Sequence, residues 1–589
     1  MSRQLYRLVL LLLAVGSSTQ ELTASTNHLR LVWLDEPSTT ITVAWNQVSG
    51  STATLHYGTT DRGRNASAYP NRAEVTEAND YHGFNNRFVR LSELQPETVY
   101  YFVLNDDEGS SDRYYFKTAP ATNKRISLIL GGDSRNHREV RRWGNELVAK
   151  LRPTAVLFGG DMIDVDRPLE WEEWLNDWQL TISSDGRVTP IVPARGNHEA
   201  PGTIQALFNT VPGSYYAITW GRDLLRTYTL NTEISVRGDQ YNWLADDLED
   251  HPDVRWKIAQ YHTPMRAHVV AKPEGGHIYD AWAGLFYDND VRLVIDSDSH
   301  TAKVTWPLRP TWEDGNDRGF VRDDALGTVY AGEGCWGAPL RWMDGAKSWT
   351  RDGDMFNQFN LVHVSKDRIE LRKIIIDENR LAVAERISSN AFELPTGLNV
   401  WSPSNGPVVT ILPRDGSKPV SDEPARLTAT YRSGRVELAW PVSGNRGLVS
   451  YRLERALNGG PWSVLSTGSL ASSEGLQTRT DIATVGTVTY RLTQVDEEGD
   501  EFISPEATVV VPAAAAGPVA SPNPTDGLVT VLTAQEVVSV AVVDGAGREV
   551  LGARPGREVD LGGLPAGVYF LRVWLVGVDE LAVVKVVRR

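Results

Sequence analysis

Cysteine is nearly absent from this sequence, since Cys335 is the only one among 589 residues. A single cysteine excludes an internal disulfide and a zinc site built from several thiolates, so a bound metal would need oxygen and nitrogen ligands. Excess positive charge is also missing, because 59 basic residues face 75 acidic ones and the formal net charge is −16. This balance argues against a broad nucleic-acid-binding surface.

Apolar runs of membrane-spanning length are absent as well. The stretch at residues 8–15 follows Arg3 and Arg7, and it is too short to cross a bilayer. A basic start, a short apolar centre and small residues after it are typical of a secretory signal peptide, which we place at residues 1–22. We therefore expect an exported chain without a transmembrane segment.

The length of the chain predicts about four domains. Alternating apolar and polar residues predict a small β-sandwich at the N-terminal end and two further all-β modules at the C-terminal end. Between them, buried strands alternate with helical patterns and predict an α/β domain; one such pattern is residues 138–152, whose apolar side chains share a helical face. The expected boundaries are 26–119 for the first sandwich, 124–390 for the α/β domain, 391–423 for a linker, 424–512 for the second sandwich and 520–589 for the last module.

Polar residues that can bind metal follow five apolar strands of the α/β region. Two strands end in "GGD", at Asp133 and Asp161, and "GGDMID" adds Asp164. The other three deliver the remaining candidates, namely Asn197 and His198 in "GNHE", His262 in "YHTP", and Asp298 and His300 in "SDSH". Because α/β sheets form their crevice at the carboxyl ends of the strands, we expect these groups to converge there.

The residue types in this set are those that bind first-row metal ions. A single Asp or Asn in such a place more often caps the helix that follows its strand. Five such strands in order, with two imidazoles, favour a metal site instead. A carboxylate between two cations can bridge them, and two cations about 3.5–4 Å apart can clamp a phosphoryl group and activate water.

The ordered motifs "GGD", "GGDMID", "GNHE", "YHTP" and "SDSH" resemble those of the calcineurin-like metallophosphoesterases, and most of all the purple acid phosphatase branch. The resemblance covers roughly residues 26–375. It implies an αββα metallophosphoesterase sandwich preceded by a fibronectin type III-like β-sandwich. The sandwich that alternation predicts at 424–512 is also expected to be fibronectin type III-like. The resemblance also implies hydrolysis of a small phosphate ester, with monoesters ahead of diesters, by a metal-bound hydroxide at a dinuclear site.

The resemblance assigns a role to each matching residue. Asp133 and His300 would bind a first metal, Asp161 would bridge both, and Asn197 and His262 would bind the second. His198 would protonate the leaving oxygen. The cofactor would be two divalent or trivalent ions, and Fe, Zn and Mn remain open.

Three positions depart from the family pattern. Asp164 stands where purple acid phosphatases have a tyrosine ligand. Arg135 stands where relatives without that tyrosine have a histidine. A guanidinium cannot ligate, so it would either contact a phosphate oxygen or pair with Asp164 or another carboxylate of the site. Asp298 replaces an imidazole at the second metal, which favours harder ions such as Mn²⁺, Mg²⁺ or Ca²⁺.

Other polar residues near these motifs carry less weight. His137 would be a substitute ligand or, more simply, a surface histidine, while His268 and His277 would reach the substrate or lie on the surface. In the glycine-rich stretch "GEGCWGAPL", Cys335 and Trp336 are expected to pack or to line a rim. The alternative function is a surface-displayed binding or adhesion protein with an impaired metal centre.

The last seventy residues resemble the sorting domain of type IX secretion. The resemblance lies in "SPNPTDG" (521–527), "VVDGAGREV" (542–550) and "LPAGVYFLRV" (564–573), where glycine and proline mark hairpin turns between valine-rich strands. It implies the type IX secretion machinery as a partner and a final location on the cell surface or in the medium.

Overall fold

The computed structural model describes residues 25–386, 392–414, 425–432, 435–442, 448–470, 475–482, 484–496, 501–512, 517–533, 535–576 and 581–589. The predicted signal peptide at 1–22 lies outside these residues. The chain divides into two compact units, Met1–Pro419 and Val420–Arg589. Among the described residues, no helix combines the length and the apolar character that crossing a membrane requires.

Two β-sheets form the centre of the first unit. The larger sheet has ten strands, in the order Val409–Ile411, Ile369–Ile375, Gln358–Val364, Ile126–Gly131, Ala155–Phe158, Ile191–Pro193, Thr26–Val32, Ile41–Gln47, Phe84–Leu91 and Glu77–Tyr81. The smaller sheet has seven strands, in the order Tyr216–Trp220, Leu225–Thr229, Trp256–Gln260, Val291–Ile295, Val329–Gly332, Ala302–Thr305 and Thr350–Asp354.

These two sheets pack face to face with helices on their outer sides. Leu128 and Leu130 share a core with Ile258 and Leu293 of the other sheet, whereas Ile129 faces outward, as the period-2 geometry of a strand requires. The helices Arg138–Leu151, Pro168–Trp178 and Thr203–Phe208 cover the larger sheet. The helix Asp239–Asp250 and the helical run Gly276–Ile278, Tyr279–Ala283 and Gly284–Asp288 cover the smaller one. The αββα expectation is confirmed, as is the helix predicted at 138–152.

The N-terminal strands continue the larger sheet instead of forming a separate body. Val32 pairs in parallel with Ile191, and Trp33 packs edge to face on Trp220 at 5.5 Å between ring centroids. A second sheet closes the sandwich over the same core; its strands are Asn71–Ala73, Thr54–Gly58, Val99–Asn105 and Tyr114–Lys117. The expected boundary between 119 and 124 is therefore crossed by one sheet and one core.

The remaining elements of the first unit are short. Leu308–Pro310 and Phe320–Arg322 form a two-stranded ribbon, and Ala66–Ala68, Gln179–Thr181 and Glu378–Ala382 are 3₁₀ turns. Val409–Ile411 pairs with Ile369–Ile375. Part of the expected linker 391–423 is thus a strand at the edge of the larger sheet.

The second unit consists of two β-sandwiches, each with its own apolar core. The first has the sheets Thr428–Arg432, Arg435–Val442 and Gly475–Ile482, and Ser463–Ser469, Leu448–Leu457, Gly486–Asp496, Glu501–Ile503 and Ala507–Val511. The second has Val519–Ser521, Leu528–Leu532 and Glu558–Asp560, and Glu549–Pro555, Val537–Asp544, Gly567–Leu575 and Ala582–Arg588. Two C-terminal sandwich modules are therefore confirmed.

Candidate metal centre

The carboxyl ends of strands from both central sheets meet at one place. Asp133 and Asp161 follow neighbouring parallel strands of the larger sheet, and His262 follows a strand of the smaller sheet. Ligand atoms of these three buried residues lie within 4.8 Å of one another. Residues far apart in the sequence thus form one cluster.

The six predicted ligands form two groups that share this cluster. In one, Nε2 of His300 lies 3.4 Å from Oδ1 of Asp133. In the other, Nε2 of His262 lies 3.2 Å from Oδ1 of Asp161, 3.0 Å from Oδ1 of Asn197 and 3.9 Å from Oδ1 of Asp298. A ligand atom of Asp161 lies within 4.8 Å of one from Asp133 and one from His262, so its carboxylate adjoins both groups.

Three buried polar atoms in the cluster fit a bound cation. Oδ1 of Asp133, Oδ2 of Asp161 and Nε2 of His300 have no hydrogen-bond partner among the described residues. Leaving such groups unsatisfied in a protein interior costs free energy. Their oxygen and nitrogen donors match the ligand preferences of first-row divalent ions, so the residues present fit the metal that the sequence motifs predict.

His262 and His300 both direct Nε2, and not Nδ1, into the site. Nδ1 of His262 lies 2.9 Å from the carbonyl oxygen of Gly159, and Nδ1 of His300 lies 2.9 Å from that of Pro339. Because a carbonyl oxygen can only accept, each Nδ1 carries the proton and each Nε2 is free to act as a ligand. Such backbone contacts orient metal-binding imidazoles in proteins.

The backbone around the cluster is strained. Asp133, Asp161, Asp298 and His300 have φ values of 58°, 53°, 69° and 58°, a left-handed region that non-glycine residues seldom adopt and that is concentrated at functional sites. Gly196 and Gly334 permit the close packing, since a Cβ at these positions would lie 2.3 Å from Oδ1 of Asp161 and 2.2 Å from Oδ2 of Asp133.

Charges within the cluster are strongly coupled. Burial would raise the pKa of Asp161, but the charge and hydrogen bond of His262 lower it below its usual range. Burial would likewise lower the pKa of His262, yet Asp161 raises it well above its usual value. The buried Asp161 carboxylate thus favours a positive charge beside it, which a proton on His262 or a bound cation can supply.

Glu199 has a structural role that the sequence motifs do not reveal. Its buried carboxylate accepts hydrogen bonds from the backbone N–H groups of Asp161, Met162 and Gly196, at 3.1, 2.7 and 2.7 Å. It therefore ties the loop after one strand to the loop after the next. Burial and the nearby charge of Asp161 raise the pKa of Glu199 to about 7.

The two predicted catalytic side chains lie beside the cluster. His198 places Nε2 3.6 Å from Oδ2 of Asp161, and its Nδ1 donates to the backbone carbonyl of Asp164. Arg135 directs its guanidinium to the carboxylate of Asp164, with Nε 2.8 Å from Oδ1. Of the two interpretations of Arg135, the ion pair with Asp164 is the contact present.

The structure also locates four polar residues near the motifs that the sequence did not place among the metal ligands. His137 and His277 are exposed, as a surface role requires. His268 is fully buried, so both expectations for it are wrong: Glu333 and Thr350 contact its two ring nitrogens and enclose it. Cys335 is buried, and burial raises its pKa, which supports a packing role.

Comparison with known proteins agrees with this geometry. Residues 26–118 match the family model for the purple acid phosphatase N-terminal domain, residues 79–302 that for calcineurin-like phosphoesterase, and residues 520–577 that for a secretion system C-terminal sorting domain. No curated protein matches the chain.

A purple acid phosphatase, PPD1 from yellow lupin (Lupinus luteus) seeds, has a similar structure, with a TM-score of 0.50 and 16% identity over 60% of this chain and 73% of that one. The structure of PhoD gives a TM-score of 0.47 and 10% identity over 61% and 87%.

The α/β domain is a calcineurin-like phosphoesterase domain, which makes the chain a phosphoesterase. A purple acid phosphatase N-terminal domain precedes it, so residues 26–302 have the domain order of the purple acid phosphatase-like metallophosphoesterases.

Proposed function

We propose that this protein is an exported phosphatase that hydrolyses small phosphate monoesters at a site for two metal ions. The observation that carries the proposal is the convergence of the predicted ligands around Asp161, with three buried polar atoms left without partners among the described residues.

Each ligand has a position that suits its proposed role. Asp133 and His300 would hold one cation, Asn197, His262 and Asp298 the other, and Asp161 both. Such cations neutralise phosphoryl oxygens and lower the pKa of bound water toward about 7. Fe, Zn and Mn all accept this donor set. Asp164 is not a tyrosine, so the iron-tyrosinate colour of purple enzymes is not expected.

His198 would act on the substrate from the rim of the site, and Arg135 would act through Asp164. His198 is half-buried, and a hydrogen bond from Nδ1 to the backbone carbonyl of Asp164 fixes its ring. We therefore expect Nε2 to donate a proton to the leaving oxygen. Arg135 in turn holds Asp164 in place, through an ion pair with the Asp164 carboxylate. We therefore assign Arg135 to positioning Asp164 and, through it, His198.

A metal-supplemented activity screen tests the proposal. The purified chain, with Mn²⁺, Zn²⁺ or Fe²⁺ added in turn, is expected to hydrolyse p-nitrophenyl phosphate faster than bis(p-nitrophenyl) phosphate. His198→Ala should lower kcat by about a hundredfold, while Asp246→Asn, on the exposed face of the helix Asp239–Asp250, should not. Absence of turnover with every metal would favour the alternative, a surface-displayed binding protein.

Export is proposed from the two ends of the chain. The signal-like segment 1–22 and the sorting-domain match at 520–577 support passage through the type IX machinery to the cell surface or the medium. In a bacterium that has this machinery, removal of residues 520–589 should retain the phosphatase inside the cell. Unchanged export of the truncated chain would exclude this route.

A further inference from the structure

Lys272 places a positive charge at the edge of the metal cluster. Its ammonium donates a hydrogen bond to Oδ1 of Asp298, the same oxygen that lies 3.9 Å from Nε2 of His262. The Lys272 side chain is 20% exposed and that of Asp298 is 10% exposed. The ammonium is thus partly shielded from water and in direct contact with a predicted ligand, Asp298.

The loop that carries Lys272 is fixed to its surroundings. The backbone N–H of Lys272 donates to Val269, and that of Val270 donates to Oδ1 of Asp344 at 2.7 Å. His268, buried four residues earlier, is held by Glu333 and Thr350. These contacts fix the backbone at Lys272, and the ion pair with Asp298 holds its side chain, which reduces the conformational entropy that a long side chain loses when it binds a ligand.

The negative charges of the cluster favour a positively charged side chain beside it. Asp133, Asp161 and Asp298 bring three carboxylates together, and a phosphate ester that enters adds further negative charge. Arg341 also lies nearby, but its guanidinium contacts the backbone carbonyl of Asp298 at 3.0 Å and not its carboxylate. Among the described lysines and arginines, Lys272 is therefore the one whose side chain pairs with the Asp298 carboxylate.

We propose that Lys272 is a phosphate-binding residue: its ammonium neutralises Asp298 and directs a further N–H toward a phosphoryl oxygen. This inference rests on the proposed phosphatase function. An ammonium has three donors, and Asp298 occupies one. The pair of Asp298 and Lys272 is electroneutral, so the carboxylate can remain beside the second cation without repelling the substrate.

A double-mutant cycle on phosphate binding tests the pair. Inorganic phosphate is titrated by calorimetry into Mn²⁺-loaded wild type, Lys272→Met, Asp298→Asn and the double variant, and the metal content of each is measured. Lys272→Met is expected to weaken phosphate binding by about tenfold, and the double variant to lose less affinity than the two single effects added together, because neighbouring charges couple non-additively. Lys272→Arg, which keeps the charge, should also stay within about threefold.

Lys124→Met is the matched control, because Lys124 is also partly exposed and pairs with a carboxylate, Glu97, ahead of the amino end of the strand Ile126–Gly131. If Lys272→Met and Lys124→Met bind phosphate equally well, or if the two changes of the cycle are additive, the role of Lys272 is wrong and the phosphatase proposal stands. If wild type binds neither metal nor phosphate, both proposals fail.

Discussion

Oδ1 of Asp161 lies 3.2 Å from Nε2 of His262, and this contact joins the two central sheets at their carboxyl ends. Asp161 follows a strand of the larger sheet and His262 a strand of the smaller one, so neither sheet alone forms the site. The relative position of the two sheets, held by their shared core, therefore sets the geometry of the metal centre.

Replacing Glu199 with Gln should loosen the metal site without touching a ligand. The amide keeps one acceptor oxygen and turns donor hydrogens toward backbone N–H groups, so at least one of three hydrogen bonds is lost. We expect the free energy of unfolding to fall by about 2 kcal/mol and metal affinity to fall about tenfold. Chemical denaturation and metal titration measure the two effects.

The control for Glu199→Gln is Glu139→Gln, an exposed position in the first turn of the helix Arg138–Leu151. It should change neither quantity. Wild-type metal affinity in Glu199→Gln would show that the loops keep their places without this carboxylate.

Changing Arg135 to Gln separates its two interpretations. If the guanidinium acts through Asp164, kcat should fall about tenfold with little change in KM, because the His198 ring loses its support and substrate binding does not. Asp164→Asn should give the same pattern. Steady-state kinetics on a chromogenic monoester measures both.

Arg142→Gln serves as the control for Arg135, since Arg142 is largely exposed on the neighbouring helix. Arg135 would instead contact the phosphate directly if Arg135→Gln raised KM strongly and preserved kcat. In that case Asp164→Asn should change neither kcat nor KM.

Lys373 should give the first unit a distinctive pH dependence. Burial, together with neighbouring Lys303, lowers the pKa of Lys373 to about 7, against about 10.4 in an unfolded chain. Between these values the unfolded chain binds more protons than the folded one, so the free energy of unfolding rises with pH. Lys373→Met should flatten this rise, as urea unfolding followed by tryptophan fluorescence at pH 7 and pH 9.5 would measure.

Exposed Lys117 provides the comparison for Lys373. Lys117→Met should keep the wild-type slope. Equal slopes for wild type and Lys373→Met would mean that Lys373 stays protonated in the folded protein.

Sequence patterns revealed much of the site because each ligand stands within five residues of the end of an apolar strand. Asp133, Asp161, His262 and His300 share this local signal, and the structure brings them together. Lys272 lacks it, because it lies in a loop without periodicity. Glu199 stands in the motif "GNHE", but its role is to accept hydrogen bonds from backbone groups, which the motif does not indicate. Their contacts depend on where loops from distant parts of the chain meet.

The fold, like the site, could be predicted from the sequence only in part. Period-2 alternation predicted the strands of residues 26–119 but not that Thr26–Val32 extends the larger sheet beside Ile191–Pro193. Partner choice between strands is a long-range property that alternation does not encode. The burial of His268 has a similar origin, since Glu333, which pairs with it, lies in a distant loop.

The most direct test of the central claim is the metal content of the purified chain compared with that of Asp161→Asn, measured by inductively coupled plasma mass spectrometry. The account predicts about two ions per wild-type chain and a loss of at least one in the variant, since the amide cannot bridge as a carboxylate does. Equal metal content in the two proteins, or none in wild type after reconstitution with Mn²⁺, Zn²⁺ and Fe²⁺, would contradict it.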